Sequence, residues 1–484
     1  MSAQNEPENP TTPSPPKHPF FGLDDDVKTP TALACALQHV LAMFVGIVTP
    51  PLVVASALKF SIEQTAFLIS MALFTSGLAT FIQVRRFGKI GSGMLSVQGT
   101  SFTFVPLAIQ SGQAGGLPLI FGMAIAASPV EMILSRFLGT VKKLFPPVVT
   151  GCVVMLIGMS LIKVGMTDLA GGFHAPDFGS PKNLALGFFV MGSIILLNRF
   201  GQGYWRTLSI ALGMVLGYAI AALFGMVDFS QLGKASWFTG PQPLKFGLDF
   251  QLIYLLPWVI GYLVTSIESI GDLTATSEVS KQPVQGDTFM QRLRGGILAD
   301  GVGSLVGGLF NAMPNTTFSQ NNGVISLTGV ASRKVGLFVA GLLMLLGLFP
   351  KLGALLSVMP KPVLGGATLV LFAMVAVAGL RIVAKGGFSA RNQFIMAITL
   401  GLGMGVSMVP DAISKLHVIH IEFAKWVHGT SFAFAAPIVK TIVNSMRIIL
   451  KEGLAVGAIT AISLHLFLPK DEEEPVVPLA QKNI

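Results

Sequence analysis

Long apolar stretches follow one another along almost the whole chain, and glycine, proline or charged residues separate them. A helix needs about 20 mostly apolar residues to cross the hydrocarbon core of a bilayer. The apolar stretches lie at 31–57, 64–83, 93–109, 115–138, 147–166, 184–198 and 207–226, and then at 250–268, 295–310, 318–330, 335–356, 362–383, 393–409 and 452–469. This pattern predicts an all-α polytopic membrane protein with about 14 transmembrane spans.

The composition agrees with a membrane protein and excludes several other classes. Of the 484 residues, 52% are hydrophobic and only 11% are charged, whereas soluble domains are about one quarter charged. We therefore exclude a soluble enzyme, a nucleic-acid-binding protein and a disordered scaffold. Cys35 and Cys152 both lie inside apolar stretches, so neither a disulfide framework nor a thiolate metal site is expected. Because no nucleophile–base pairing or metal signature occurs either, we expect no enzyme activity, no metal and no cofactor.

The formal charge of +9 is a topology signal. The loops after the even-numbered spans carry clusters of basic residues, namely Arg85, Arg86, Lys89; Arg136, Lys142, Lys143; Arg199, Arg206; Lys281, Arg292, Arg294; Arg333, Lys334; and Arg381, Lys385, Arg391. By the positive-inside rule these loops and both termini are cytoplasmic, so the charge does not indicate nucleic acid. We expect residues 1–28 and 470–484 to be polar cytoplasmic tails, with no signal peptide at the N-terminus.

A weak internal repeat relates the two halves of the chain. Pro147-Val-Val-Thr-Gly151 opens the fifth span, and Pro362-Val-Leu-Gly-Gly366 opens the twelfth, seven spans later. An odd number of spans per half places the halves in opposite orientations, as in many secondary transporters. The sequence therefore predicts two inverted repeats of seven spans, although so short a match also arises by chance.

Two matching polar interruptions predict a binding site near the middle of the bilayer. The run 96–103 (SVQGTSFT) interrupts the third span, and the run 316–323 (TTFSQNNG) interrupts the tenth. Irregular polar backbone at membrane depth is tolerated only where it is buried in protein or lines a cavity. The alternative is that both runs are loops that flank shortened helices.

Ionisable residues inside the spans are the candidates for proton chemistry, because each costs about 2.5–3.5 kcal/mol to insert. Glu268 and Asp272 are four residues apart and share one helix face. Asp300 lies inside the ninth span, and His39 lies in the middle of the first, beside Gln38. The alternatives are that the first two acids lie in the headgroup region, that Asp300 only stabilises the fold through hydrogen bonds, and that His39 is a packing residue.

Other polar residues carry weaker signals. We interpret 430–450, within the segment 411–451, as an interfacial or re-entrant helix. Three histidines of that segment, His417, His420 and His428, form only a poor candidate metal site. Glu131 and His465 lie near span ends, where we expect structural roles.

The run 320–329 (QNNGVISLTG) resembles the signature of the nucleobase–ascorbate transporter (nucleobase:cation symporter-2) family, Q/E-N-x-G-x-x-x-x-T-R/K/G. Other family motifs coincide with Gln38-His39, the run 98–102, the run 268–272 and Asp300. The resemblance covers about residues 29–410 and 452–469, and it is greatest to the bacterial xanthine permeases. The segment 411–451 departs from the family pattern.

The resemblance implies an elevator-type homodimer in the bacterial inner membrane. A core domain would comprise spans 1–4 (29–140) and 8–11 (250–358). A gate domain would comprise spans 5–7 (141–249) and 12–14 (359–469, including the insertion). Short antiparallel strands in spans three and ten would hold the substrate between half-helix N-termini. The expected partners are a purine, protons and membrane lipid, with the proton as coupling ion and no nucleic acid.

The resemblance also assigns roles to individual residues. Glu268 would pair with the N–H and carbonyl groups of a purine, and Gln320 would bind the opposite polar edge. The remaining substrate-binding residues would be Phe102, Ser319, Asn321 and Ser101. The proton-coupling and hydrogen-bonding network would comprise Glu268, Asp300, Asp272 and His39.

Xanthine:proton symport is the function that this resemblance favours. Uracil-type members carry histidine and glutamate where this chain has Asp272 and Gln320, and Gly329 ends the signature as in xanthine members. Ser101 is small enough to admit the 8-oxo group of uric acid, so uric acid, or both purines, is the first alternative. An anion channel or sulfate-type transporter of the same fold is a more remote one.

Overall fold

The computed structural model describes residues 20–141, 144–172, 175–410, 412 and 436–469. Within this part the chain is mostly helical, with one sheet of two short strands. The C-terminal tail 470–484, Lys142, Lys143 and most of the insertion, 413–435 with its three histidines, lie outside the described residues.

The first half of the chain contains eight helices within the described residues. They are α1 Thr29–Ala57, α2 Ile62–Arg85, α3 Val105–Ala127, α4 Pro129–Val141, α5 Pro147–Leu169, α6 Pro181–Phe200, α7 Tyr204–Thr207 and α8 Ser209–Leu223. Helix α3 is kinked at Gly115 and Gly116, whose backbone angles are not helical. The kink separates the end of the predicted third span from the start of the fourth.

The second half continues in the same way. Its helices are α9 Leu252–Val279, α10 Gly286–Leu309, α11 Gln320–Thr328, α12 Arg333–Gly347, α13 Pro350–Ser357, α14 Lys361–Lys385, α15 Ala390–Met408, α16 Ala436–Lys451 and α17 Gly453–Phe467. Helix α9 extends well beyond the predicted end at 268, so Glu268 lies in the interior of a long helix rather than at its end.

Apolar helices long enough to cross a membrane make this a multi-pass membrane protein. Seven helical segments of the described chain meet that requirement, or nine when each bent pair of helices is counted as one span. One bent pair joins α12 to α13 at 72°, and the other joins Lys440–Lys451 of α16 to α17 at 95°. The bend at α16 is that of a broken span or of a re-entrant loop, so the interfacial or re-entrant helix expected near 430–450 stays a prediction. At this bend Glu452 accepts a hydrogen bond from the side-chain amide of Gln110 in α3.

The two polar interruptions form the sheet. Strand β1, Gln98–Thr100, pairs antiparallel with β2, Asn315–Thr317, and Gly99 faces Thr316 in the register. All six residues are buried. The pairing satisfies backbone groups that could not bond to water in the membrane interior. The short strands expected in the third and tenth spans are therefore present.

The helices pack as two groups. Helices α1–α4 and α9–α13 surround the strand pair, with α2 against α10, α12 and α13, and α3 against α9. In the other group, α14 packs against α5, α6 and α8, and α15 packs against α5 and α17. Glycines allow the close α5–α14 contact: a Cβ at Gly158 would lie 2.4 Å from the Ala376 backbone nitrogen.

Part of the expected N-terminal tail belongs to the fold instead. Leu23 and Val27 are buried, and the backbone of 21–23 bonds to that of 329–333. Residues 20–28 are therefore not a separate polar tail, and Asp24 and Asp26 in this segment form ion pairs with Arg333 and Lys334. Residues 1–19 lie outside the described part of the chain.

Candidate functional site

The strand pair anchors a network of buried polar side chains. The backbone N–H of Gln98 donates to Thr80 Oγ1 at 2.9 Å, and its side-chain amide donates to Thr317 Oγ1 at 2.9 Å. Thr317 in turn donates to the Asp300 carboxylate at 3.3–3.4 Å. A chain of hydrogen bonds thus runs from β1 through β2 to α10.

The ring of Phe318 packs between β1 and α1. A Cβ added to Gly99 would lie 2.4 Å from the Phe318 ring, and one added to Gly46 would lie 2.8 Å from it. Glycine at these two positions therefore lets the aromatic ring fill the space beside the strands. This contact explains the glycine in the run 98–102.

Asp300 accepts hydrogen bonds from three other elements of the fold. Ser269 of α9 donates to its Oδ2, and the amide of Gln83 in α2 donates to its Oδ1 at 3.3 Å, in addition to the bonds from Thr317. Asp300 is fully buried. The structure therefore places this predicted residue at the junction of α2, α9, α10 and β2.

Glu131 is a further buried acid, for which the sequence predicted only a structural role. Thr265 donates to its Oε1 at 2.8 Å and Ser266 donates to the same atom at 3.4 Å, while Oε2 is buried without a hydrogen-bond partner. Glu131 stands in the first turn of α4 and reaches α9. The sequence alone does not reveal this contact, because Glu131 lies near the end of a predicted span.

Glu268 and Asp272 on α9 bring the number of mutually interacting acids in this part of the protein to four. Glu268 interacts electrostatically with Asp300, Asp272 interacts with both, and Glu131 interacts with Asp300 and Glu268. Glu268 is half-buried, but its Oε2 has no hydrogen-bond partner. The salt bridges found among the described residues involve none of the four acids. The part of the chain that the structure describes also holds no cluster of three or more His, Cys, Asp or Glu suited to a metal ion.

His39 lies beside Asn321 in the protein interior. Both residues are fully buried, and Asn321 donates through Nδ2 to the Leu95 carbonyl at 2.6 Å. Neither ring nitrogen of His39 has a partner of good hydrogen-bond geometry, and Asn321 Oδ1 has none either. The pair therefore joins α1 to the start of α11 and retains unused hydrogen-bonding capacity.

A cavity of about 1300 Å³ separates the two helix groups. On one side it is lined by Gly46 of α1, by Ser319 just before α11 and by Gln320 at the start of α11. Helices α6, α8 and α14 line it on the other side. Arg199, Arg206 and Arg381 also line this cavity. The cavity therefore reaches loops in which the sequence analysis found clustered basic residues.

The structure distributes the predicted substrate residues over two places. Ser319 and Gln320 line the cavity, whereas Glu268, Ser101 and Phe102 are not among its lining residues. The Phe102 ring packs edge-on against Phe372 of α14, with the centroids 5.5 Å apart.

Hydrogen bonds connect these two places. Asn322 of α11 accepts from Thr276 at 2.8 Å and lies 3.5 Å from the Asp272 carbonyl. The helix that carries Gln320 is thereby attached to the helix that carries Glu268. Ser101 donates its backbone N–H to the Pro314 carbonyl at 2.9 Å, and its Oγ has no partner.

Comparison with solved structures supports a transporter fold. The transmembrane domain of the cyanobacterial bicarbonate transporter BicA matches with a TM-score of 0.57 at 16% identity, over 78% of this chain and 95% of that one. The murine anion transporter Slc26a9 in its inward-facing state also matches with a TM-score of 0.57, at 13% identity, over 82% of this chain and 69% of that one. At these identities the likeness shows a common fold.

Sequence comparison gives the family. Residues 30–412 match the family model Xan_ur_permease, which is described as a permease family. The xanthine permease XanP of Escherichia coli K12 is 42% identical over 94% of this chain and 95% of its own, and XanQ of the same organism is 39% identical over 95% and 96%. A putative purine permease of Schizosaccharomyces pombe is 37% identical over 95% of this chain. The chain is therefore a transporter rather than an enzyme, and it belongs to the nucleobase–ascorbate transporter (nucleobase:cation symporter-2) family of permeases.

Proposed function

We propose that this protein imports xanthine together with protons across the bacterial inner membrane. The observation that carries the choice of substrate is the 42% identity, over 94% of the chain, to a protein named as a xanthine permease. A planar purine with alternating N–H and C=O groups suits a site built from amide and carboxyl groups. Such a site discriminates strongly against analogues that lack those groups.

The buried acids support proton coupling. Glu131, Glu268, Asp272 and Asp300 interact with one another and belong to none of the salt bridges of the described chain. A buried carboxylate without a basic partner is costly, which favours a proton on some of these four carboxyls in this proposal. We assign the coupling network to Glu268, Asp300, Asp272 and His39, and the proton is the only coupling ion we propose.

The substrate site in this proposal combines both broken spans. Glu268 pairs with purine N–H and C=O groups, Gln320 binds the opposite edge, and Ser319 and Phe102 form the walls. Asn321, held by the Leu95 carbonyl, sets affinity. The orphaned Oε2 of Glu268 and Oδ1 of Asn321 support these roles, because each leaves an acceptor for a ligand.

An elevator-type movement accounts for transport in this proposal. The helix group around the strands would be the moving core (29–140 and 250–358), and the other group would be the gate (141–249 and 359–469) of a homodimer. The fourteen spans would form two inverted repeats with both termini cytoplasmic. The cavity between the groups supports this, since three arginines line it and the positive-inside rule favours a cytoplasmic opening there.

Uptake by cells that lack their own purine permeases tests the proposal. We expect labelled xanthine to accumulate, and we expect a protonophore to abolish the accumulation. Glu268→Gln should eliminate accumulation because it removes a titratable group while preserving shape. Glu278→Gln, near the end of the same helix, is the matched control. It removes only an exposed ion pair with Lys385, which contributes little, and should transport normally. Accumulation that survives the protonophore, or normal accumulation by Glu268→Gln, would refute the mechanism.

Uric acid remains the second candidate substrate. The observation that favours it is the buried Ser101 Oγ, which has no partner and can donate to the 8-oxo group that xanthine lacks. Competition of xanthine uptake by uric acid, measured in the wild type and in Ser101→Asn, separates the candidates. Competition that is lost in the variant would support a dual substrate, and no competition in either protein would exclude uric acid.

An anion channel or sulfate-type transporter is the remote alternative. The solved structures of similar fold include a bicarbonate transporter and an anion transporter. Their substrates would require positive charge at the broken spans, but 96–103 and 316–323 contain no basic residue. The four nearby carboxyls would also repel an anion. Chloride or sulfate flux measured in the absence of xanthine would support this alternative.

A further inference from the structure

Residues 20–28, here called the N-terminal strap, lie along the end of the signature helix α11. The Phe21 N–H donates to the Gly329 carbonyl at 2.8 Å, and the Phe21 carbonyl accepts from Ala331 at 2.9 Å. Farther along, the Leu23 carbonyl accepts from the Arg333 N–H at 2.9 Å. The strap therefore pairs like a short β-strand with the segment that joins α11 to α12.

Charged side chains reinforce the pairing. Arg333 contacts Asp24 at 2.6 Å, and Lys334 contacts Asp26 at 2.8 Å. The Lys281 ammonium lies 4.1 Å from the centre of the Phe20 ring. The strap is thus attached to the ends of α9 and α12 as well as to α11.

Arg333 also reaches the other broken span. Its Nε donates to the Gly93 carbonyl at 2.5 Å while its Nη1 contacts Asp24. Gly93 has a φ of +67° and precedes β1 by only a few residues. One guanidinium therefore connects the strap, the start of α12 and the approach to β1, which only a side chain with several donors in a fixed plane can do.

The mechanical consequence concerns α11. This helix has only 9 residues and ends at Gly329 in the left-handed conformation. A helix this short has little intrinsic stability, so contacts at its ends must hold it in place. Its first residues line the large cavity, and its last residues are held by the strap.

We propose that the strap and Arg333 are positioning elements for substrate binding: they hold α11 in register with β1, so that Gln320 stands at its binding position. The proposal rests on the proposed function for its transport readout. Loss of the Arg333 contacts would let α11 shift relative to β1. Substrate affinity would then fall, although the protein would still fold and insert.

The first experiment compares uptake kinetics. A chain that starts with Met followed by Thr29 lacks the strap, and a chain that starts with Met followed by Phe20 is its control. Arg333→Ala is compared with Lys334→Ala, which loses an ion pair to the strap but no contact to Gly93. We expect the KM for xanthine to rise about tenfold in both altered chains. Arg333→Ala loses the charge-assisted hydrogen bond to Gly93, and the strapless chain loses the backbone hydrogen bonds to 329–333. The maximal rate per inserted molecule should change less than about twofold in all these chains. The KM of the two controls should also change less than about twofold.

The second experiment does not depend on the cargo. Both natural cysteines are buried, so Ser326→Cys, in α11 and in the cavity wall, supplies one reactive thiol. We expect a water-soluble maleimide to label it faster when Arg333 is alanine or the strap is absent. Labelling should be unchanged in Lys334→Ala, and Arg333→Lys should fall between Arg333→Ala and the unmodified chain.

The outcomes separate a positioning role from simple stabilisation. Reduced membrane abundance with unchanged KM and unchanged labelling rate would overturn the proposal. If the strapless chain does not insert, the Arg333 variants decide alone. Altered labelling in a chain that does not carry xanthine would support the positioning role while refuting the proposed function.

Discussion

Phe318 determines which residue can occupy position 99. A Cβ on residue 99 would lie only 2.4 Å from the ring, and a Cβ on Gly46 of α1 would lie 2.8 Å from it. A pattern of residues in the sequence indicates that the backbone is interrupted here, but it does not show which ring fills the gap. The glycine is therefore a packing requirement of the strand pair.

Gly99→Ala should destabilise the protein. The added methyl group must displace a buried ring, which costs about 1–3 kcal/mol. The melting temperature in detergent should fall, and Phe318→Leu should restore part of the loss. Gly341→Ala is the control, because a Cβ there meets open space. Equal melting temperatures for Gly99→Ala and the control would contradict the packing argument.

We expect the protein to tolerate Glu131→Gln but not Glu131→Ala. Glu131→Gln keeps an oxygen for Thr265 and Ser266, so insertion and melting temperature should stay near the wild type. Glu131→Ala leaves those hydroxyls without that acceptor and should cost about 1–3 kcal/mol. Thermal unfolding of the two purified variants measures the difference, and equal stability would show that the hydrogen bonds contribute nothing.

The sequence predicted individual buried residues where a polar side chain stands out within an apolar stretch. Asp300 and His39 are polar residues in apolar spans, and both are buried as that anomaly requires. Glu131 could not be identified in this way, because its importance comes from α9, whose Thr265 is 134 residues away in the chain. The substrate and proton roles of these residues stay predictions.

Interrupted spans were the most informative elements of the sequence. The two polar runs predicted the interruptions, the family resemblance predicted short antiparallel strands at these places, and β1 and β2 are paired. The strap was not predicted, because three adjacent aspartates resemble a solvated tail. The partner of Asp24 lies 309 residues away, so the ion pair is invisible to local patterns.

Helix α5 should be intolerant of side chains on its face toward α14. A Cβ at Gly158 would meet the Phe372 carbonyl oxygen at 2.6 Å as well as the Ala376 nitrogen. Backbone atoms cannot rotate away, so Gly158→Ala should separate the helices and lower stability by about 1–3 kcal/mol. Gly192→Ala on α6, where a Cβ meets open space, is the matched control in the same thermal assay. Unchanged stability of Gly158→Ala would mean that the two helices are not closely packed.

At the scale of the whole molecule, the two helix groups contact each other unevenly. The large cavity separates them near the arginines, whereas elsewhere α16 packs against both α9 and α17, and its Ser445 donates to the Ile253 carbonyl of α9 at 2.7 Å. Glu452 and Gln110 form a second contact of this kind. In the mechanism proposed above, this arrangement would be an inward-facing end state, with the orientation taken from the positive-inside rule.

Xanthine-driven proton movement in proteoliposomes tests the central claim most directly. With purified protein and a pH-sensitive dye, we predict that adding xanthine moves protons into the vesicles. The movement should be absent with Glu268→Gln and intact with Glu278→Gln. Xanthine uptake by the wild-type protein without any accompanying proton movement would contradict the account.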